Sequence, residues 1–92
     1  MVEPLYGFAY SDQSLAFLKT LTSKLRRQIV SKIETLASNP CPPKSKLVRG
    51  MKDGQEPVRR IRSGDYRVLY TVRDNDQLVV ILDIGHRKDV YR

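Results

Sequence analysis

The spacing of apolar residues is helical in the first half of the chain and changes to every second position in the last third. Near the N-terminus, aromatic and small apolar residues in Leu5–Tyr10 predict a short strand. Ser11 and Asp12 then offer side chains that can cap a helix, and leucines at helical spacing follow them. The pattern therefore predicts a first helix over residues 12–20.

A second helix is predicted to begin directly after the first, because Thr22 and Ser23 can cap it. Its apolar stripe consists of Leu25, Ile29, Ile33, Leu36 and Ala37. The dipeptide Asn39-Pro40 ends this helix, since proline has no backbone N–H and disfavours helical geometry in the residue before it. The two amphipathic segments predict a helical hairpin.

Residues 44–56 have few apolar positions and carry lysines together with Gly50 and Gly54. This composition is typical of a basic surface loop. We expect at most a short strand in it, near Leu47 and Val48.

From Val58 onward, apolar residues alternate with polar ones, which is the repeat of a β-strand. In the segment YRVLYTVR the tyrosines and valines share one face, so Arg67 is expected to point away from the helices. Turn-forming residues at 63–65 and 74–76 separate this strand from its neighbours. The nearly continuous apolar run Leu78–Ile84 predicts a strand in the middle of the sheet.

Together these elements predict a single α+β domain over residues 1–92. An N-terminal strand and the helical hairpin pack on one face of a mainly antiparallel sheet, and the other face of the sheet stays open. A chain of 92 residues suits one domain with one core.

The composition is that of a folded, basic domain. With 40% hydrophobic and 29% charged residues, the chain is too apolar for a disordered tail. Lysines and arginines number 17 against 10 acidic residues, and the resulting net charge of +7 indicates a phosphate-rich or acidic partner. No apolar run approaches the roughly 20 residues of a membrane helix, and the N-terminus lacks a signal-peptide pattern, so a cytoplasmic location is expected.

Motifs of several enzyme classes are absent from the sequence. It has no glycine-rich phosphate loop, no HExxH and no CxxC, and the lone Cys41 has no companion for a disulfide or a metal site. Two groups of polar residues remain as candidates for chemistry. They comprise Arg60, Arg62 and Arg67 around the first hairpin, and His86, Arg87, Lys88 and Tyr91 after the last strand. If the last strand pairs beside this hairpin, both groups reach the rim of the open face.

Three segments carry a family resemblance, namely KLVRGMKDG, RRIRSGDYRVLYTV and ILDIGHRKDVYR. With the helical hairpin and the strand order, they resemble the RelE branch of the RelE/ParE toxin superfamily of bacterial toxin–antitoxin systems, over nearly the whole chain. The resemblance implies an mRNA interferase that enters the ribosomal A site and cleaves the message being translated. It also implies an endoribonuclease without metal or other cofactor, in which the ribose 2′-hydroxyl attacks and a cyclic phosphate remains.

Position by position, the resemblance implies roles for four residues. Arg67 matches the arginine that stabilises the phosphate, and Arg87 matches the one near the leaving oxygen. Tyr91 matches the tyrosine that orients the substrate or stacks on it. Arg60 matches one of two lysines that stabilise charge or transfer protons, and the second of these lysines is replaced by Val58.

The replacement at Val58 leaves the general base open, because arginine holds its proton too tightly to act as a base at neutral pH. His86 is the obvious candidate, since imidazole titrates near neutrality and related branches place a catalytic histidine in this terminal region. Alternatively, His86 only shapes the turn after the strand. Arg67 and Arg87 have an alternative role in structural salt bridges, and Tyr91 has one in packing on the sheet.

The remaining basic residues fit contacts with ribosomal RNA phosphates, which add affinity without reading sequence. They are Lys44, Lys46, Arg49, Lys52, Arg62 and Lys88. The resemblance further implies a cognate antitoxin that covers the basic face. Two other functions stay open, a ParE-like poison that binds DNA gyrase without catalysis and an RNA-binding homologue that has lost catalysis.

Overall fold

The computed structural model describes residues 5–86, which form one five-stranded sheet and two α-helices. The strands are β1 (Gly7–Tyr10), β2 (Lys46–Asp53), β3 (Glu56–Ser63), β4 (Tyr66–Arg73) and β5 (Leu78–His86). The α-helices are α1 (Asp12–Lys19) and α2 (Ser23–Glu34), and short 3₁₀-helices cover Thr35–Ala37 and Asp74–Asp76.

The sheet order is β1-β5-β4-β3-β2. Strand β1 runs parallel to β5, and all other neighbours are antiparallel. The predicted α+β fold is confirmed, including the N-terminal strand, the helical hairpin and the inner position of the apolar strand β5.

Both predicted helix starts are confirmed by their capping hydrogen bonds. Ser11 Oγ accepts from the Ser14 backbone N–H at 3.1 Å, and Thr22 Oγ1 accepts from the Leu25 N–H at 3.3 Å. Helix α2 gives way to the 3₁₀-helix after Glu34, so the helical segment stops ahead of the prolines. In the part of the chain that the structure describes, neither helix is long and apolar enough to cross a membrane.

The core lies between the helices and one side of the sheet, which we call the helix face. Its buried residues are Leu18, Ile29, Ile33, Leu36, Ile61, Val68, Tyr70, Val79, Ile81 and Ile84. Tyr70 reaches through this layer, and its hydroxyl donates a hydrogen bond to the Pro40 carbonyl at 2.7 Å. The proline-rich segment after α2 is thereby tied to the core.

The prediction of a loop over residues 44–56 is wrong for most of the segment, which is the edge strand β2, and the short strand predicted near Leu47 and Val48 is part of it. Lys46 pairs with Arg60 of β3, and the register shifts farther along the strand. Gly50 lies in this irregular stretch with a φ of 80°, a conformation that favours glycine. Most side chains of β2 are exposed, so the strand depends on backbone pairing with β3 and leaves little apolar pattern in the sequence.

A one-residue bulge in β5 decides which of its side chains reach each face of the sheet. Ile81 and Asp83 pair with consecutive residues of β4, so Leu82 is an extra residue between them. Strict alternation would place Asp83 beside Ile81 on the helix face. The bulge instead turns Asp83 to the opposite face and brings Ile84 into the core.

Candidate functional site

Three arginines lie on the side of the sheet away from the helices, which we call the open face. Arg62 of β3 pairs directly with Arg67 of β4, and Arg60 lies two residues from Arg62 on the same side of β3. We call these three residues the arginine cluster. Arg67 alternates with Val68, which is in the core, so its predicted orientation away from the helices is confirmed. Directly paired side chains lie about 4.5–5.5 Å apart at Cβ, and like charges at this spacing repel each other.

Apolar side chains form a small cluster on the open face beside these arginines. They are the buried Val58 and Leu69, with Val48 and Leu82 packed against them. Arg60 and Arg67 are half-buried and Arg62 is exposed. The aliphatic stems of the arginines can cover apolar surface here while the guanidinium groups reach its rim.

Val58 has a packing role in this cluster, with only 2% of its surface exposed. It occupies the position of the second lysine that the family resemblance gives to the preceding strand. The open face therefore has a buried apolar side chain where that resemblance places a group able to transfer protons.

Asp83 brings a carboxylate to the open face, because it pairs with Leu69 two residues from Arg67. Partial burial raises the pKa of Asp83 above its ordinary value of 3.8, and a backbone hydrogen bond at Ile84 acts in the opposite direction. Within residues 5–86, no three His, Cys, Asp or Glu side chains are grouped so that they could hold a metal ion.

His86 lies on the helix face, opposite to the side that carries the arginine cluster. It pairs with Tyr66, and the two rings meet edge to face with centroids 5.8 Å apart. Tyr66 in turn meets Phe17 of α1 at 6.0 Å. This position favours the structural alternative for His86, and its predicted acid–base role gains no support from the register of β5.

Arg87, Lys88 and Tyr91 lie outside the described residues, so their assigned roles stay predictions. Gly85 pairs with Arg67, which places the end of β5 beside the arginine cluster. The expected pairing of the last strand with the arginine-bearing hairpin is confirmed.

The other predicted RNA-binding residues are exposed and follow the edge of the sheet. They are Lys44 before β2, and Lys46, Arg49 and Lys52 on β2. The pairing of Lys46 with Arg60 extends the positive charge of the arginine cluster toward this edge. Contact of these residues with RNA stays a prediction.

A cleft of about 730 Å³ opens at the sheet edge next to the arginine cluster. Leu36, Pro42, Pro43 and Ile61 supply apolar lining, and cationic lining comes from Lys32, Lys44, Lys46, Arg60 and Arg62. Sequence reasoning missed Lys32, which lies outside the apolar stripe of the second helix. The helical pattern carries no sign that this end of α2 lies next to β3.

Known proteins match the chain over most of its length. The family model described as "ParE toxin of type II toxin-antitoxin system, parDE" matches residues 8–91. A protein of Methanocaldococcus jannaschii named "Putative toxin RelE1" is 33% identical over 75 residues, which cover 82% of this chain and 82% of that protein.

Solved structures of toxin–antitoxin complexes share the fold. The archaeal RelE-RelB complex from Pyrococcus horikoshii has a TM-score of 0.75 and 26% identity, with 92% of this chain and 98% of that chain covered. The RelBE2 complex from Mycobacterium tuberculosis has a TM-score of 0.75 and 27% identity, covering 92% and 100% respectively. The intact Escherichia coli RelBE complex has a TM-score of 0.70 and 27% identity, covering 88% and 95%.

Proposed function

The chain belongs to the RelE/ParE family of toxins of type II toxin–antitoxin systems, and we propose that it is a ribosome-dependent mRNA endoribonuclease of the RelE kind. Its similarity in structure to RelE toxins supports this branch of the family. The observation that carries the proposal is the arginine cluster on the open face, where Arg62 and Arg67 face each other across two strands.

The arginine cluster suits a reaction that gathers negative charge on a phosphate. In the proposed step, the ribose 2′-oxygen attacks the neighbouring phosphorus and releases its proton to water, the bond from phosphorus to the 5′-oxygen breaks, that oxygen takes up a proton from water, and a 2′,3′-cyclic phosphate forms. Charge on the non-bridging oxygens is greatest in the transition state. A guanidinium group can donate two parallel hydrogen bonds to such oxygens, and it keeps its charge at any physiological pH.

In this proposal Arg67 binds the non-bridging oxygens and Arg60 adds charge stabilisation. Arg67 lies on β4, which is paired on both sides, so its backbone is held in place before substrate arrives. Arg87 would act near the leaving oxygen and Tyr91 would orient the substrate, as the family resemblance implies. His86 supports the end of β5 through its contact with Tyr66.

An antitoxin partner belongs to the same proposal. The similar RelE structures include complexes with RelB antitoxins. The net charge of +7 and the clustered arginines favour a partner whose acidic or amphipathic segment covers the open face.

Cleavage is tested by adding the purified chain to ribosomes that translate a defined message and mapping the cuts by primer extension. We expect site-specific cuts that require ribosomes and leave 2′,3′-cyclic phosphate ends. A message that stays intact on translating ribosomes would contradict the proposed activity.

A second candidate function is a gyrase poison, because the matching family model is named for ParE. This candidate predicts inhibition of DNA supercoiling by purified gyrase at chain concentrations that leave translated messages uncut. Cut messages together with normal supercoiling would reject it.

A further inference from the structure

We propose that the cleft beside the arginine cluster binds a nucleotide of the RNA adjacent to the scissile phosphate. The RNA strand would then continue from the open face over the sheet edge toward α2. This inference rests on the proposed function, because it takes the arginine cluster as the site of the scissile phosphate.

The charge of the cleft is complementary to a nucleic acid backbone. Its cationic side chains come from four parts of the fold, with Lys32 on α2, Lys44 in the segment before β2, and the others on β2 and β3. None of the ten described residues that line it is acidic. Without an anion these cations repel one another, so a bound phosphate lowers the energy of the arrangement.

The cleft is continuous with the arginine cluster. Arg60 and Arg62 line the cleft and also share the open face with Arg67. A strand whose scissile phosphate lies on Arg67 therefore reaches the cleft along an uninterrupted run of positive charge. Lys46, which pairs with Arg60, lies on the same route.

The apolar lining suits a nucleobase in addition to a phosphate. Pro42 and Pro43 supply the accessible apolar lining, whereas Leu36 and Ile61 also line the cleft but are buried. A volume of about 730 Å³ lies within the range of roughly 300–1,000 Å³ that is typical of small-molecule sites. Apolar contact with the face of a base is independent of its identity, so this subsite would accept any message.

The proline segment that lines the cleft is held in place before any ligand binds. Tyr70 Oη donates to the Pro40 carbonyl at 2.7 Å, and Ser45 Oγ donates to the Pro42 carbonyl at 2.7 Å. Arg59 donates to Ser45 Oγ from Nε at 3.3 Å and from Nη2 at 3.2 Å. A wall fixed by these bonds costs little ordering when RNA binds.

The test measures the salt dependence of RNA binding by a cleft variant, Lys32→Ala with Lys44→Ala. The probe is a fluorescein-labelled single-stranded RNA with 2′-O-methyl riboses, which lacks the attacking hydroxyl, and anisotropy gives the affinity. Each phosphate contact on a single strand contributes roughly 0.7 to the slope of log K against log salt, so the variant should lose about 1.4. Between about 50 and 200 mM salt, the unchanged chain should then lose about sevenfold more affinity than the variant.

The matched control is Lys19→Ala with Lys24→Ala, which removes the same charge from exposed positions on the two helices that do not line the cleft. We expect its slope to equal that of the unchanged chain. Equal slopes in the cleft variant and the unchanged chain would overturn the inference, and so would equal losses in the cleft and control variants.

The cleft and the cleavage activity can fail separately. If messages are cut on translating ribosomes but the salt slope is the same in the cleft variant and the unchanged chain, the cleft is not an RNA subsite. The proposed function then still stands. Uncut messages combined with a reduced slope in the cleft variant refute cleavage and support the cleft as an RNA site. Absence of any binding by the unchanged chain overturns the cleft inference.

Discussion

The same strands contribute to both faces of the sheet, but the two faces differ in how many apolar and charged side chains they carry. The helix face buries a neutral cluster of ten residues under two helices, whereas the apolar cluster of the open face has two buried residues and lies beside the arginine cluster. Strand β4 shows the contrast within three positions, because Val68 is fully buried in the core while Arg67 and Leu69 point to the other side. Stability concentrated on one face lets the other hold like charges side by side.

Substitutions of equal kind on the two faces test this difference in stability. Ile81→Ala in the core should lower the free energy of unfolding by about 2–5 kcal/mol, toward the upper end because packed neighbours surround the cavity. The loss caused by Leu69→Ala on the open face should lie near the lower end of this range, since its apolar cluster is small and can close around the cavity. Urea unfolding measures both, and an equal or larger loss for Leu69→Ala would break the comparison.

Removal of one arginine tests whether the open face is a functional surface. Arg67→Ala should lower ribosome-dependent cleavage about 10²–10³-fold, which corresponds to roughly 2.7–4 kcal/mol of transition-state stabilisation, because a fixed donor to the phosphate is lost. Urea unfolding of the same variant separates a loss of cleavage from a loss of folding. The control is Arg27→Ala on the exposed side of α2, which removes the same charge. Normal cleavage by Arg67→Ala would show that this face is not catalytic.

The hydroxyl of Tyr70 links the core to the proline segment that lines the cleft. Its removal therefore tests whether that segment contributes to the stability of the core. Tyr70→Phe should destabilise the fold by about 1 kcal/mol, because the Pro40 carbonyl loses its donor. Tyr6→Phe removes an exposed hydroxyl that donates to Asp74 and should cost less. Thermal unfolding of both variants decides the order, and a smaller cost for Tyr70→Phe would separate the cleft wall from the core.

The smallest effect is expected from Asp83, whose pKa is raised by burial on the open face. Below pH 3.8, the pKa of Asp83 in the unfolded state, the stabilising contribution of the protonated side chain is fully present. This contribution is lost as the pH rises through the raised pKa of Asp83 in the folded state. Relative to Asp83→Asn, the unchanged chain should therefore lose stability as pH rises through this range. Urea midpoints measured across the acidic range check the sign, and an opposite trend would mean that nearby arginines outweigh burial.

Much of the fold could be predicted from the sequence because capping residues and apolar spacing are local signals. The helix starts that follow the capping residues Ser11 and Thr22, and the apolar strand β5, are given directly by such signals. Strand β2 follows no such signal, since exposed basic residues lie on both sides of Gly50 and the strand gains its structure from pairing with β3. Strand β3 follows after only two residues, but backbone pairing between two strands requires no apolar alternation in the sequence of β2.

The candidate site was predictable only in part, for a similar reason. Alternation in β4 was enough to place Arg67 on the open face, because that strand is regular over the relevant residues. His86 could not be placed by counting, since Leu82 is apolar like its neighbours and does not reveal the bulge that changes the alternation. Lys32 joins the cleft through the docking of α2 beside β3, a tertiary contact that no local pattern encodes.

The bulge in β5 also predicts where this strand tolerates a change in length. Deletion of Leu82 would leave Asp83 opposite Leu69 and His86 opposite Tyr66, so a shortened chain should keep every later side chain on its present side. Loss of a residue beyond the bulge would instead move every later side chain of the strand to the opposite face of the sheet. Among homologues, single-residue gaps in this strand should therefore fall at this point and spare the positions that follow.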